Sequence, residues 1–238
     1  NDTQKTVPNL NLWEKVKNNK HRLGYLFVRK VLEVTYDRLI DRVQALPDAT
    51  ESHHCGELYK DIPVVKVKPV QKKHSDYFID SDIKQIKEPQ LDVIIRLGFR
   101  ILRGDILTAS KYGVWSFHHG DNHLNRGGPA GYWESMESWP ETGAILQILN
   151  EDLDNGQVLY RSYSCTNEFS FNENVNNYFW KSLFFMTRTL ESLYIEGEKE
   201  FFEKITLQNQ DPKIYSEKLY QSPPNTELAK LTVHTLTE

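Results

Sequence analysis

The chain has 238 residues, 39% hydrophobic and 12% aromatic, with 29 Lys and Arg against 33 Asp and Glu and a formal charge of −4. That length and apolar content suit one sizeable globular core with appendages, and the mixed, slightly acidic charge lacks the basic field that nucleic-acid binding draws on. No apolar run of about eighteen residues, secretory leader or lipidation signature is present, so the sequence predicts a soluble, cytoplasmic protein without a membrane partner.

From Leu10 to about Leu46 apolar residues such as Leu23, Phe27, Val31, Val34 and Leu39 recur at helical spacing, which predicts one long helix or two in series, closed by Pro47-Asp48-Ala49-Thr50. Cys55 and Cys165 stand apart in the chain and match neither a disulfide framework nor a CxxC site; they read as buried or incidental thiols. The valine-rich "IPVVKVKPV", residues 62–70, predicts a strand, and "DSDIKQIKE" a short helix starting at Asp80 and Ser81. "LDVIIRLGF" is nearly continuous in apolar residues, as a strand covered on both faces would be, and "RGDILTASK" reads as a helix. "YGVWSFHH" is the next strand, and "GAILQILN" and "GQVLYRSYS" are two more joined by the turn residues "EDLDNG". A helix from about Val175 to Gly197 carries Tyr178, Phe179, Leu183, Met186, Leu190 and Leu193 on one face, and beyond "QSPPN" Thr226 is placed to cap a short terminal helix through Leu236.

Strands alternating with helices predict an α/β fold, Rossmann-like, with a mostly parallel sheet flanked by helices and long helices before and after the core. The expected divisions are a helical segment over 1–50, a catalytic core over 51–205, and a linker with a short helix over 206–238. In such sheets ligands collect at the carboxyl ends of strands. There the chain concentrates polar chemistry: "SFHHGDNHLNRGGPAGYWE", residues 116–134, places three histidines, an aspartate and two asparagines within eight positions. Pleat alternation puts Ser116 and His118 on one face and Trp115, Phe117 and His119 on the other. Asp121 and Asn122 suit turn amides, and "RGGP" introduces a helix whose N–H groups could meet an anion. A zinc site built from His118, His119, Asp121 and His123 is disfavoured, because adjacent strand residues face apart and the spacing fits no regular zinc pattern. Acyl transfer needs a histidine, a donor and a carboxylate from another loop, and Asp154 in the Asp-Asn-Gly turn supplies the last; alone, that turn reads as a hairpin.

Together, "GVWSFHHGDNHLNRGGPAGYWE" and "TGAILQILNEDLDNGQVLYRS" resemble the catalytic region of the 10-formyltetrahydrofolate-dependent formyltransferases, which act on glycinamide ribonucleotide, methionyl-tRNA or amino sugars. That family carries Gly-x-x-Asn-x-His followed by Asp-x-Gly-x-Ile/Leu/Val. Gly113, His118, Arg126, Gly127, Gly128, Asp154, Gly156 and Val158 fall where the pattern expects them. The resemblance extends over about residues 60–195. It implies that His118 polarises the formyl oxygen and takes part in proton transfer, that Asp154 pairs with it and orients its ring, and that Ser116 stands where the family has asparagine. It further implies that Gly98, Phe99, Arg100, Ile101, Leu102, Asp152 and Leu153 hold the cofactor, 10-formyltetrahydrofolate, with no metal. The family's opening strand-helix-strand unit is not found in the sequence, so the chain is expected to be a fragment lacking it. The implied function is formyl transfer to a small-molecule amine, an amino sugar first, since the charge disfavours tRNA; the alternatives are hydrolysis of formyltetrahydrofolate and a non-catalytic folate-binding or regulatory domain. A homodimer is left open.

Overall fold

A computed structural model describes residues 13, 16–17, 20–27, 30–31, 47–124, 126–168, 170–210 and 219–225. Of the expected N-terminal helix, Lys20–Arg22 is a 3-10 turn and residues 13, 16–17, 23–27 and 30–31 are helical; the other residues of that stretch, and the helix expected after Thr226, lie outside the described residues. Both cysteines are exposed rather than buried.

Residues 63–69 form no strand. Pro63 and Pro69 bracket them, lack ladder N–H groups, and leave the intervening valines without a pairing frame. Strand structure begins at β1 (Val70–Lys72), which turns through Lys73 at φ 47° into antiparallel β2 (Ser75–Tyr77). Helix α1 (Asp80–Lys87) follows as predicted, with Asp80 and Asp82 in its first turn and Lys84 and Lys87 in its last, complementing the helix dipole. The apolar run contributes only the short β3 (Ile94–Ile95), and β4 (Ile101–Leu102) pairs parallel with β2. "RGDILTASK" is a 3-10 turn over Gly104–Thr108 rather than an α-helix. Then come β5 (Val114–His119), β6 (Arg126–Gly127), the five-residue α2 (Tyr132–Met136), β7 (Glu141–Ile148) and β8 (Gln157–Cys165). Helices α3 (Phe171–Ser182), α4 (Phe185–Glu196) and α5 (Glu198–Gln208) precede β9 (Leu219–Tyr220), which pairs parallel with β6.

The principal sheet has the order β3-β5-β7-β8 and is mixed: β3 and β5 are parallel, while β5–β7 and β7–β8 are antiparallel. The expected α/β character holds, but the mostly parallel sheet does not. The connection from Ile148 to Gln157, residues 149–156, is too short for a crossover, so β7 and β8 can pair only as a hairpin. The single helix expected from Val175 to Gly197 is also interrupted, at Leu183–Phe184. That break seats Phe185, 1% exposed, against Tyr160 and Phe117 and leaves Leu183 at the surface.

Side-chain alternation sorts the sheet into two faces. Trp115, Ala144, Leu146 and Leu159 bury one face beneath Tyr178 of α3, Phe185 of α4 and Phe201 and Ile205 of α5. Val114 begins the other face and joins Ile83, Leu102, Ile106 and Leu107 in a smaller cluster. His119 lies on the apolar face, stacked on Tyr178 with ring centroids 4.5 Å apart and close to Phe179 at 4.6 Å.

Burial, reinforced by neighbouring His118, pushes the His119 pKa down to about 4, whereas the unfolded chain titrates it near 6.5. The folded ring refuses a proton that the unfolded ring accepts. Its contribution is therefore complete above pH 6.5 and is lost as pH falls from there toward 4. Denaturation across pH 7 to 4 is expected to show up to ~3 kcal/mol of stability loss from this group, and His119→Phe to flatten that slope; an unaltered slope would show that the ring is not held neutral.

Candidate active site

Strand β5 carries the site on the face opposite its aromatic packing. Ser116 is 1% exposed and His118 9% exposed, and their alternation on the strand brings both side chains to the same side. In the parallel pairing Ile94 stands beside Val114 and Ile95 beside Trp115; the Arg96 N–H extends the ladder to the Trp115 carbonyl at 2.9 Å, which sets Arg96 next to Ser116. Arg96 Nη1 donates to Ser116 Oγ at 3.1 Å, Nε to the Arg100 carbonyl at 3.0 Å, and Nη2 to the Phe99 carbonyl at 2.6 Å. Burial pushes the Arg96 guanidinium below its ordinary value, with the Asp154 and Asp76 carboxylates opposing.

Asp154 comes from the turn between β7 and β8, in a left-handed conformation at φ 51°, a backbone region in which aspartate is among the more tolerated residues. Its Oδ1 lies 3.4 Å from His118 Nδ1, at the long end of hydrogen-bonding distance. Gly156 makes this turn possible: its N–H donates to the buried Gln147 Oε1 at 3.1 Å, and a Cβ there would lie 2.0 Å from the Ile148 carbonyl oxygen. Asn122, fully buried, donates from Nδ2 to the Asp154 carbonyl at 3.2 Å and accepts Arg161 Nη2 at 2.7 Å. Asp121 satisfies the His123 N–H at 3.0 Å, as expected of a turn residue, and binds Arg161 Nη1 and the Tyr163 hydroxyl. Asn122 differs from that expectation, since it bridges two loops rather than capping its own.

The two stretches read as cofactor-holding meet beside this pair. Glu151 Oε1 accepts the Gly104 N–H at 2.8 Å and its Oε2 lies 3.3 Å from Arg103 Nη1, tying the Asp152–Leu153 loop to the segment after β4. Within Gly98–Leu102, Phe99 turns its ring edge-on to Phe78, and the Arg100 side chain binds Asp76 Oδ1 at 2.9 Å and the carbonyls of Lys73 and Ser75. The Arg100 N–H is held by Asp76 Oδ2 and that of Ile101 by the His74 carbonyl, so these two residues brace the loop. Leu102 alternates the other way: its backbone N–H and C=O face the outer edge of β4, where none of the described strands pairs.

Parity keeps the histidines apart. His118 faces the site, His119 the aromatic core, and His123 Nε2 accepts Arg161 Nη2 at 3.2 Å. The glycine-proline stretch does not present a helix end to the site: α2 is one turn long, and the Gly131 N–H is taken by Glu134 Oε2 at 2.7 Å beneath the Tyr25, Tyr132, Trp133 and Tyr220 cluster. A cavity of about 350 Å³ lined by His123, Tyr160, Arg161 and Asn209 lies along β8 and includes neither His118 nor Asp154. Sequence reasoning passed over Arg96 and Arg161. The available signal was a lone charged residue inside each of two strand-like runs, "VIIRLGF" and "QVLYRSY".

With β5, the His118–Asp154 contact and the glycine-dependent turn in place, the chain is formyltransferase-like. It is 29% identical over 103 residues to the methionyl-tRNA formyltransferase of Prochlorococcus marinus, a match covering 43% of this chain and 27% of that enzyme; the chain thus spans about a quarter of its relative's length. No family model matches the sequence. Among solved structures, phosphoribosylglycinamide formyltransferase from Bacillus halodurans is similar at 19% identity and TM-score 0.42, over 51% of this chain and 64% of that one. The formyltransferase PseJ from Anoxybacillus kamchatkensis, in complex with a formamido sugar nucleotide and tetrahydrofolate, is similar at 21% identity and TM-score 0.36, over 52% and 73%.

Gly156→Ala is expected to destabilise the protein beyond the ~1–3 kcal/mol typical of overpacking, because the added methyl meets backbone rather than a side chain able to move. Thermal denaturation reads the effect; a near-native melting temperature would mean that the turn can be remodelled.

Proposed function

We propose that this chain carries the donor side of a formyltransferase site and moves a formyl group from 10-formyltetrahydrofolate to a small-molecule amine. The observation that carries the reading is the 3.4 Å approach of His118 Nδ1 to Asp154 Oδ1, formed between a strand and a distant turn in a formyltransferase-like sequence. Residues 51–205 form the catalytic core in this reading, with 1–50 and 206–238 as appendages.

Formyl transfer requires a carbonyl oxygen to become negative while an attacking nitrogen loses a proton. The amine lone pair makes the new C–N bond and the carbonyl π pair moves to oxygen. When that pair returns, the bond to N10 breaks, N10 keeps its electrons, and it takes one proton while the amine has given one up. Directing Nδ1–H of His118 at Asp154 fixes the tautomer in which Nε2 carries the lone pair, the form suited to handling that proton. An amino sugar is the favoured acceptor class, since a chain of charge −4 is poorly matched to tRNA.

One observation favours a second reading, a folate-binding domain without turnover: Ser116 Oγ donates to the Phe117 carbonyl at 3.2 Å and so does not present its proton to a substrate. Release of formate without an acceptor would instead indicate hydrolysis.

His118→Ala and Asp154→Asn are each expected to lower formyl transfer by roughly 10²–10⁴-fold with little change in melting temperature; a near-normal rate in either variant removes the assignment. Saturating 5-formyltetrahydrofolate is expected to raise the melting temperature, since a ligand bound at a hundred times its Kd contributes about 2.7 kcal/mol to the native state. No shift would mean that no folate site is present.

A further inference from the structure

We propose that Arg96 is a catalytic residue of this site, its guanidinium rather than the Ser116 hydroxyl meeting the formyl oxygen as that oxygen becomes negative. The inference rests on the formyl-transfer reading above. It starts from a sequence oddity, a single cation within the apolar run "LDVIIRLGF". Arg96 lies at the end of the edge strand β3, between exposed Ile95 and Leu97, yet its own side chain is drawn inward and half-buried, where its charge needs partners.

Register explains where that charge goes. Arg96 follows β3 directly beside Ser116 of β5, and pleating sets Ser116 and His118 on the same face. Ser116 occupies the place of an amide donor, yet its hydroxyl proton points to the Phe117 carbonyl and its oxygen accepts Arg96 Nη1 at 3.1 Å. The hydroxyl is thus an acceptor toward the site, which is the wrong polarity for an oxyanion. Arg96 has the right one. A guanidinium carries five N–H groups, and the bonds to Ser116 Oγ, the Arg100 carbonyl and the Phe99 carbonyl use three of them. One N–H on each terminal nitrogen remains for a ligand.

Those three anchors also fix the guanidinium plane against rotation, so a donor is aimed before the substrate arrives, the condition under which charge stabilisation is most effective. The two carbonyl anchors belong to the loop read as holding the donor, which couples the position of the cation to the position of the formyl group. As the amine lone pair forms the new C–N bond, the π pair displaced onto oxygen meets an N–H that is already charged. Such charge-assisted bonds are about twice as strong as the neutral amide bond an asparagine would offer.

Arg96→Met keeps the aliphatic stem and removes every donor. Calorimetry on the full chain with 10-formyl-5,8-dideazafolate and with tetrahydrofolate separates contact with the formyl oxygen from bracing of the loop. The expected result is at least a ten-fold loss of affinity for the formylated compound with less than a three-fold loss for tetrahydrofolate, and a fall in kcat of about 10²–10³. Ser116→Asn in the Arg96→Met background is expected to recover at least ten-fold in kcat, because a neutral donor returns beside His118. Equal losses for both ligands would show that Arg96 only braces the loop, and no loss for either would show that it touches nothing; each overturns the inference. Should Arg96→Met fail to fold, Arg96→Lys keeps charge without the fork: weakened discrimination between the two ligands supports the inference, and unchanged discrimination overturns it. A wild-type chain that binds neither compound removes the formyl-transfer reading itself, and the inference with it; binding by the wild type with no effect of the Arg96 variants removes the inference alone.

Discussion

Strand β5 separates two chemistries by the width of a peptide plane. Its odd-numbered side chains, Trp115, Phe117 and His119, enter an aromatic layer shared with α3 and α4, while Val114, Ser116 and His118 turn to the opposite side. A shift of one residue in its pairing with β7 would exchange these sets, placing a serine and a histidine in the aromatic layer and an indole on the face that meets Asp154. The apolar burial beneath Trp115 and Phe185 is therefore what holds His118 on the face that meets Asp154. Packing energy on one face fixes chemical geometry on the other.

The carboxylate partner depends on a different balance. A turn that projects Asp154 back toward β5 must bury its own polar backbone, and an unsatisfied buried group costs about 1–3 kcal/mol. Asn122 answers the Asp154 carbonyl and Gln147 the Gly156 amide. Arg161 then binds Asp121 and Asn122 together and ties the histidine-rich loop to β8. Residues that look like candidate ligands in the sequence are largely occupied in holding two loops at a fixed separation. The polar density of this stretch serves geometry as much as chemistry.

Strand β5, α1 and the β7–β8 hairpin were legible because their signals are local: alternation, a polar start to a helix, and a Gly-containing turn. So was the separation of His118 from His119, which needs only the pleat. The strand expected at 62–70 was not, because valine content cannot report that two prolines remove ladder donors and that none of the described strands pairs with residues 63–69. The long helix after Val175 failed for a related reason. Helical periodicity persists through Leu183 and Phe184, but it cannot report that the axis breaks there and Phe185 is buried against Tyr160 and Phe117.

The residues by themselves determined the kind of chemistry on offer, a histidine at the end of a strand and an aspartate in a glycine-containing turn, because both follow from short-range pattern and from residue type. Only the tertiary structure decided that the two meet, that the sheet is mixed rather than mostly parallel, and that Arg96 stands against Ser116. Strand direction and register depend on which distant segment supplies the missing hydrogen bonds, and a charge 20 residues away in sequence becomes a neighbour only after β3 and β5 have paired.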